Sequence, residues 1–553
     1  MSTTLPSQFK HPYQYDKKYK KPVVYFSMEF AIDQSLKIYS GGLGFLAGSH
    51  MRSAYDLKQN VIGIGVLWKH GYYDQFRKED RSMGVLFQEK IFHFLKETNI
   101  KFTIEINGHQ VGVKAMFLDP ETFGTAPMFF LSTDLPENDY LAQSTTFHLY
   151  DSDPNAKVAQ CMVLGVGGAK LLDELNYLPE IYHFNEAHAL SAAFHLYKKF
   201  NHNLEELKKR LVFTTHTPEE AGNEKHNIHF LEKLSFFCGL PLDEVRAISG
   251  IYDDTFNHTL VGLRFSHIAN GVSKLHGEVS RQMWEGYEGI CPITHVTNAQ
   301  NKKFWADKLL EEARINNDID AILKRKTRLK QKLFDVVADQ TGKLFDPTIL
   351  TIVWARRFAD YKRPDLITRD LERFKKMMEN KETPIQIIFA GKPYPMDYGA
   401  INNFNSLAYL SRSYNNMAVL TGHELKLSRQ LKEGSDLWLN NPRVTREASG
   451  TSGMSAAMNA SINLSTNDGW VCEFYDNGVN SFVLPTVDHT LPTFEQDAQD
   501  LHNLLETLEK TIIPMYYKKR KNWNKIVLES MNTVAPFFDS TRMADEYYTK
   551  MYN

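Results

Sequence analysis

The strongest constraint on this chain is a pattern that recurs along it. A short run of apolar, often β-branched residues is followed by a polar or glycine-bearing turn and then by a helical stretch. Val23-Val24-Tyr25-Phe26, Val61 to Leu67, Ile181 to Phe184, Leu211 to Thr215 and Ile268-Ala269 are such runs in the first part. Leu350 to Trp354, Ile385 to Phe389, Met417 to Leu420 and Asp436 to Leu439 are their counterparts later on. Runs without a polar face suit strands buried on both sides, as in parallel sheets. Their alternation with helices predicts an α/β fold. Polar residues collect just after the strands, as in Asn185-Glu186-Ala187-His188, His216-Thr217-Pro218, Arg356-Arg357 and Ala390-Gly391-Lys392. Open parallel sheets bind ligands at that edge. Residues 85–135 differ. Lys101 to Ile106 alternates, Asn107-Gly108 is a hairpin turn, and Val111 to Phe117 is the return strand.

With 553 residues the chain is expected to form more than one domain. A charged helix is expected from Glu311 to Ala338, with 339–347 as a linker. The division that follows is 1–340, 341–496 and a helical, aromatic-rich segment 497–553 that packs back on the first domain. Two α/β domains joined by one linker predict a central cleft.

The charge balance, Lys+Arg 64 against Asp+Glu 66, excludes a polybasic nucleic-acid or membrane binder. No run of 18 apolar residues occurs, and Met1 to Lys21 lacks an apolar signal core, so a cytoplasmic protein is expected. Cys161, Cys238, Cys291 and Cys472 are far apart, and Glu186-x-His188 lacks further ligands at useful spacing, so no metal site is expected. Tyr 26, Phe 35 and Trp 7 supply mostly core, with a surplus suited to stacking on sugar rings.

The chemistry concentrates in Glu447 to Asn459. Gly450 and Gly453 let backbone approach a ligand, Ser449, Thr451 and Ser452 can cap the following helix, and free N–H groups at a helix start attract a phosphate. Ser40-Gly41-Gly42-Leu43-Gly44 is a second such loop. It is not G-x-G-x-x-G, so no dinucleotide fold is read from it. Arg357 and Lys362, five apart after a strand, can face one anion. His216 can donate or accept a proton or serve as a hydrogen-bonding core residue. Glu447 can act as general base, bind sugar hydroxyls, or balance charge.

Taken in order, the motifs resemble the α-glucan (glycogen, starch or maltodextrin) phosphorylase family in its short bacterial and archaeal type. They are Tyr25 to Phe30, Ser40 to Gly44, Asn185 to His188, Thr214 to Pro218, Asn270-Gly271-Val272, Val296-Thr297-Asn298, Ala355 to Arg363, Ala390-Gly391-Lys392, Gly434-Ser435-Asp436 and Glu447 to Met454. The resemblance implies a GT-B glycosyltransferase fold with two Rossmann-like domains facing a cleft. It implies phosphate contacts from Arg357 and Lys362, and phosphate and glucosyl contacts from Gly41, Gly42 and Leu43. It places the His216 backbone carbonyl by the anomeric centre. Glu447, Ser449 and Gly450 match contacts to glucose hydroxyls, and Asn185 and His188 fall on the substrate side. Arg356, Gly450, Thr451 and Ser452 match the pocket for the phosphate of pyridoxal phosphate, which in the family relays a proton to the substrate phosphate with retention at glucose.

One position departs from the family. Ser455 stands where the family has the lysine that forms the Schiff base with pyridoxal phosphate. A hydroxyl forms no imine. Lys426 and Lys432, the nearest lysines, precede the cradle and are poor substitutes. No covalently bound cofactor is therefore expected; pyridoxal phosphate held non-covalently or a nucleotide diphosphate remain as occupants. The expected activity is glucosyl transfer between an α-1,4-glucan or maltooligosaccharide and phosphate or glucose 1-phosphate. The alternatives are a sugar-nucleotide-dependent, glycogen synthase-like transferase and an inactive α-glucan-binding protein. The resemblance also implies a homodimer.

Overall fold

Residues 9–553 are described in a computed structural model, and they form two compact units. The first comprises the residues up to Tyr73, Phe87–Asn298 and Ser540–Asn553. Its nine-stranded sheet is centred on Val23–Phe26, flanked in parallel by Val61–Val66 and Ile181–Asn185, with every residue of the three strands buried. Leu211–Thr214, Ile268–Gly271 and Ile293–His295 extend one side in parallel. Met128–Ser132 continues the other side in parallel, then His109–Leu118 and Lys96–Ile106 add antiparallel. The residue pattern dictates this order. The unbroken apolar runs take the middle, where both faces are covered, and the alternating hairpin takes the edge with one face in water.

The second unit comprises Asp74–Leu86 and Ala299–Asp539. The six strands of its main sheet are all parallel, in the order 417–420, 385–390, 350–355, 437–440, 462–465, 482–483. Numbered along the chain this is 3-2-1-4-5-6, the doubly wound arrangement whose ligand crevice opens where the order reverses, between the strands 350–355 and 437–440. Leu333, Phe334 and Val337 pack with Val353, Ile388, Trp438 and Ala456 in its core.

The units divide the chain elsewhere than at 340/341 and 496/497. Leu333, Phe334 and Val337 put the helix Ile319–Thr341 in the second unit. The helices from Thr493 to Phe537 lie there too, and only Ser540–Asn553 joins the first unit. The single helix expected over 311–338 is two, Lys308–Ile315 and Ile319–Thr341. Asn317 adopts a left-handed φ of 51°, and the Asp318 side chain accepts from the Ala321 N–H to start the second helix. The strands Ile462–Ser465 and Phe482–Val483 were not anticipated; the latter spans only two residues. Among the described residues no helix is long and apolar enough to cross a membrane.

Candidate functional site

In the second unit the strand Leu350–Ala355 delivers Arg356 to the sheet's carboxyl edge. Gly391, at φ 155°, follows the neighbouring strand, and a Cβ there would fall 1.9 Å from the Arg356 carbonyl oxygen. Only glycine permits that approach. Arg356 is buried, and its Nη2 lies 3.1 Å from Glu447 Oε2. Lys362 Nζ approaches the same oxygen at 3.4 Å. Asp468 Oδ2 accepts the Glu447 backbone N–H at 2.9 Å and fixes the residue from behind. Arg357 is exposed at this edge.

The charges are set by burial and by one another. Burial pushes the Glu447 carboxyl up, but Arg356, Lys362 and Arg357 outweigh it and hold the group below its usual range. Burial pulls Lys362 down to about 7, against the opposing pull of Glu447. Burial, reinforced by the Glu447 charge, raises Asp468 to about 7.

The cradle Ser449–Ser452 differs in detail from expectation. Thr451 precedes the helix Ser452–Ala457, yet its side chain makes no capping bond. Ser449 Oγ, Ser452 Oγ and Arg356 Nη1 are buried without a hydrogen-bond partner. Gly450 adopts φ 87°, and a Cβ on it would lie 3.1 Å from Arg356 Nη2. Buried donors without acceptors are costly, and an anion bound here would supply the missing acceptors. The cradle therefore fits the phosphate end of pyridoxal phosphate. Position 455 does not fit its aldehyde end, because Ser455 is fully buried and its hydroxyl donates to the Ser452 carbonyl at 3.2 Å.

The two neighbouring lysines separate. Lys426 is exposed, whereas Lys432 is 1% exposed with Nζ 3.7 Å from the centre of the Trp305 ring. The sequence carries the signal, since Lys432 shares a helix face with buried Leu425, Ser428 and Leu431.

In the first unit the loop Ser40–Leu43 is organised by Glu29. Its Oε2 accepts the backbone N–H of Ser40 at 2.6 Å and of Gly41 at 3.1 Å, and its Oε1 accepts from Tyr150 Oη at 2.8 Å. Those two N–H groups, expected to face an anion, are taken by a carboxylate, and Gly42 and Leu43 open the helix Gly42–Asp56. A Cβ at Gly44 would meet Glu29 Oε2 at 2.8 Å.

The strand Ile181–Asn185 carries the other polar group. Asn185 Oδ1 lies 2.7 Å from His216 Nε2, while Asn185 Nδ2 donates to Ser27 Oγ at 3.0 Å. The His216 backbone N–H donates to the Glu186 carboxylate. Glu186 adopts a left-handed φ of 68°, a strained conformation of the sort that gathers at functional sites. Burial raises its carboxyl to about 7 and lowers His216 to about 3. Glu186, His188, Thr217, Asn223 and Glu224 help line a cavity of about 170 Å³. Sequence reading missed Glu29, Asp468 and Glu186 as organising groups, because they act on backbone N–H groups remote in sequence.

Comparison with known proteins follows the same lines. Residues 306–483 match the family model for carbohydrate phosphorylases. The chain is 42% identical to an uncharacterised protein of Methanocaldococcus jannaschii over 96% of its own length and 100% of that protein's. It is 33% identical to a maltodextrin phosphorylase of Thermococcus litoralis, over 97% of this chain and 71% of that one. It is 30% identical to a glycogen phosphorylase of Aquifex aeolicus, over 98% and 87% respectively. Likeness on this scale, spanning both units, means that the chain belongs to the carbohydrate phosphorylase family.

Proposed function

We propose that the chain is a retaining glycosyltransferase that moves glucosyl units between an α-1,4-glucan and phosphate, with glucose 1-phosphate as the other product. The observation that carries this reading is the second unit's anion site. Glu447 is clamped by Arg356 and Lys362 beside three buried donors that lack acceptors. An arriving phosphate would take Lys362 and Arg357 as counter-charges. Lys362, held near neutrality by burial, can also give or take a proton at Nζ on a phosphate oxygen. Glu447, released from part of its ion pairing, would accept hydroxyls of the glucosyl unit together with Ser449 and the Gly450 backbone. In the first unit His216 is held by its ring on Asn185 and by its N–H on Glu186, which fixes the carbonyl assigned to the anomeric centre. Gly42, Leu43 and His188 are assigned to the sugar.

The family's cofactor, when bound, supplies a phosphate that exchanges a proton with the substrate phosphate. Ser455 gives that cofactor no covalent anchor at the usual position, and no step above is routed through it.

Purified protein given maltodextrin and inorganic phosphate should release glucose 1-phosphate, and given glucose 1-phosphate should lengthen the glucan. Turnover of a sugar nucleotide alone would replace this reading with a synthase-like one. Maltodextrin binding without turnover of any donor would leave a glucan-binding protein.

A further inference from the structure

The cradle lacks an amine at position 455, yet a buried amine stands in the same part of the second unit. Lys432 lies on the helix Leu425–Gly434 with its Nζ against the Trp305 ring. Trp305 is tied to the end of the cradle helix. Asn459 Nδ2 donates to the Trp305 carbonyl and to the Ser455 carbonyl, both at 2.8 Å. Leu427 and Leu431 of the lysine's helix share one core cluster with Ala456 of the cradle helix.

The opposite flank is closed by polar groups. His423, whose Nε2 is buried without a hydrogen-bond partner, lies within electrostatic range of Lys432. Its neighbour Glu424 holds Lys392 at 2.9 Å, and Lys392 follows Gly391, which packs on the Arg356 carbonyl. Neighbouring contacts thus run from the phosphate-ready donors of Arg356, through Lys392, Glu424 and His423, to Lys432, and back by Trp305 and Asn459 to Ser455.

We propose that Lys432 supplies, from the adjacent helix, the covalent anchor that position 455 has lost, and bonds the aldehyde of pyridoxal phosphate whose phosphate rests on Arg356, Ser449 and Ser452. The inference rests on reading the cradle as a cofactor phosphate pocket. Burial holds Lys432 well below the usual lysine range, which favours the neutral, nucleophilic amine. The nitrogen lone pair forms a bond to the aldehyde carbon. The aldehyde oxygen then leaves as water with both amine hydrogens, and a carbon–nitrogen double bond remains. No oxidant or reductant is required.

The test is chemical mapping rather than turnover. The full chain is incubated with pyridoxal phosphate, reduced with borohydride, digested and mapped by mass, alongside Lys432→Met, Ser455→Lys and the double variant. The expected result is an imine absorbance band in the wild type and a reduced adduct on the peptide bearing Lys432. Both should fall at least tenfold in Lys432→Met, with a melting curve close to wild type, and the adduct should reappear at position 455 in the double variant. An unlabelled Lys432 beside a labelled Ser455→Lys protein would sink the inference and leave the pocket intact. Absence of specific labelling in all four proteins would overturn the inference and the pocket reading together, and label confined to surface lysines would likewise count against Lys432.

Discussion

Glu447 Oε2 faces two basic groups at once, Arg356 at 3.1 Å and Lys362 at 3.4 Å, and all three side chains are largely buried. Removing the carboxylate charge leaves the buried Arg356 guanidinium without its counter-charge, which costs about 3–5 kcal/mol. Glu447→Gln should therefore lower the unfolding free energy measured in urea by that amount, and added inorganic phosphate should recover part of it by taking the carboxylate's place. Lys362 bears on pH dependence. Its pKa lies near 7, below the ordinary lysine value, so it is charged below about pH 7 and neutral above. Apparent phosphate affinity should weaken as pH rises through that value, and Lys362→Arg should flatten the profile; a profile unchanged by that substitution would remove Lys362 from phosphate binding. Lys362 was legible in the sequence because it and Arg357, five apart after a strand, can face one anion; Arg356 was reached only through the family resemblance, and Glu447 only by its place before the glycine cradle. Glu29 and Asp468 were not, since each works by accepting backbone N–H groups 11 or 21 residues away, and no local pattern encodes such a partner.

The elements that hold the site in place depend on a few buried charges. Arg363 is fully buried, donates to the Asn441 and Pro442 carbonyls at 2.9 Å, and reaches Asp497 at 3.0 Å and Asp500 at 2.7 Å. It thereby pins the helix Thr493–Thr507 to the turn before the cradle. Arg363→Met should destabilise the protein by about 3–5 kcal/mol, because Asp500 is left buried and unpaired. Limited proteolysis should open first near residues 493–507, and cleavage elsewhere would contradict that role. Asp318→Ala, which removes the cap of the helix Ile319–Thr341, should cost about 1 kcal/mol in the same denaturation assay. At this scale the parallel strands were readable, since unbroken apolar runs such as Val23–Phe26 and Met417–Leu420 suit strands covered on both faces. The break at 316–318 was hidden because apolar periodicity continues through it, and a left-handed asparagine interrupts a helix without changing that period.

The two α/β units constitute the family's GT-B fold. Their boundary at residues 298/299 was not legible, because Leu333, Phe334 and Val337 have the same pattern whichever sheet they cover. The whole molecule should also be acid-sensitive. Burial lowers His50, His216, His258 and His423 to about 3 and His276 to about 4. Below about pH 6.5 the unfolded chain binds protons that these folded rings do not, so stability falls as pH falls. Glu186 and Asp468, raised to about 7, act the other way, with a stabilising contribution full below about pH 4 and gone above about 7. Five histidines outweigh two carboxyls, so the melting temperature should drop on acidification from 6.5 towards 4; a rise over that interval would refute the balance. The first unit is completed by Ser540–Asn553, where Tyr552 Oη meets His183 at 2.7 Å beneath the strand that carries Asn185. During synthesis the whole of 299–539 leaves the ribosome before those residues do. The nascent first unit must therefore wait with a gap behind the strand Ile181–Asn185, and a stop codon or protease cut just after Asp539 would expose that strand in a chain whose second unit is already made.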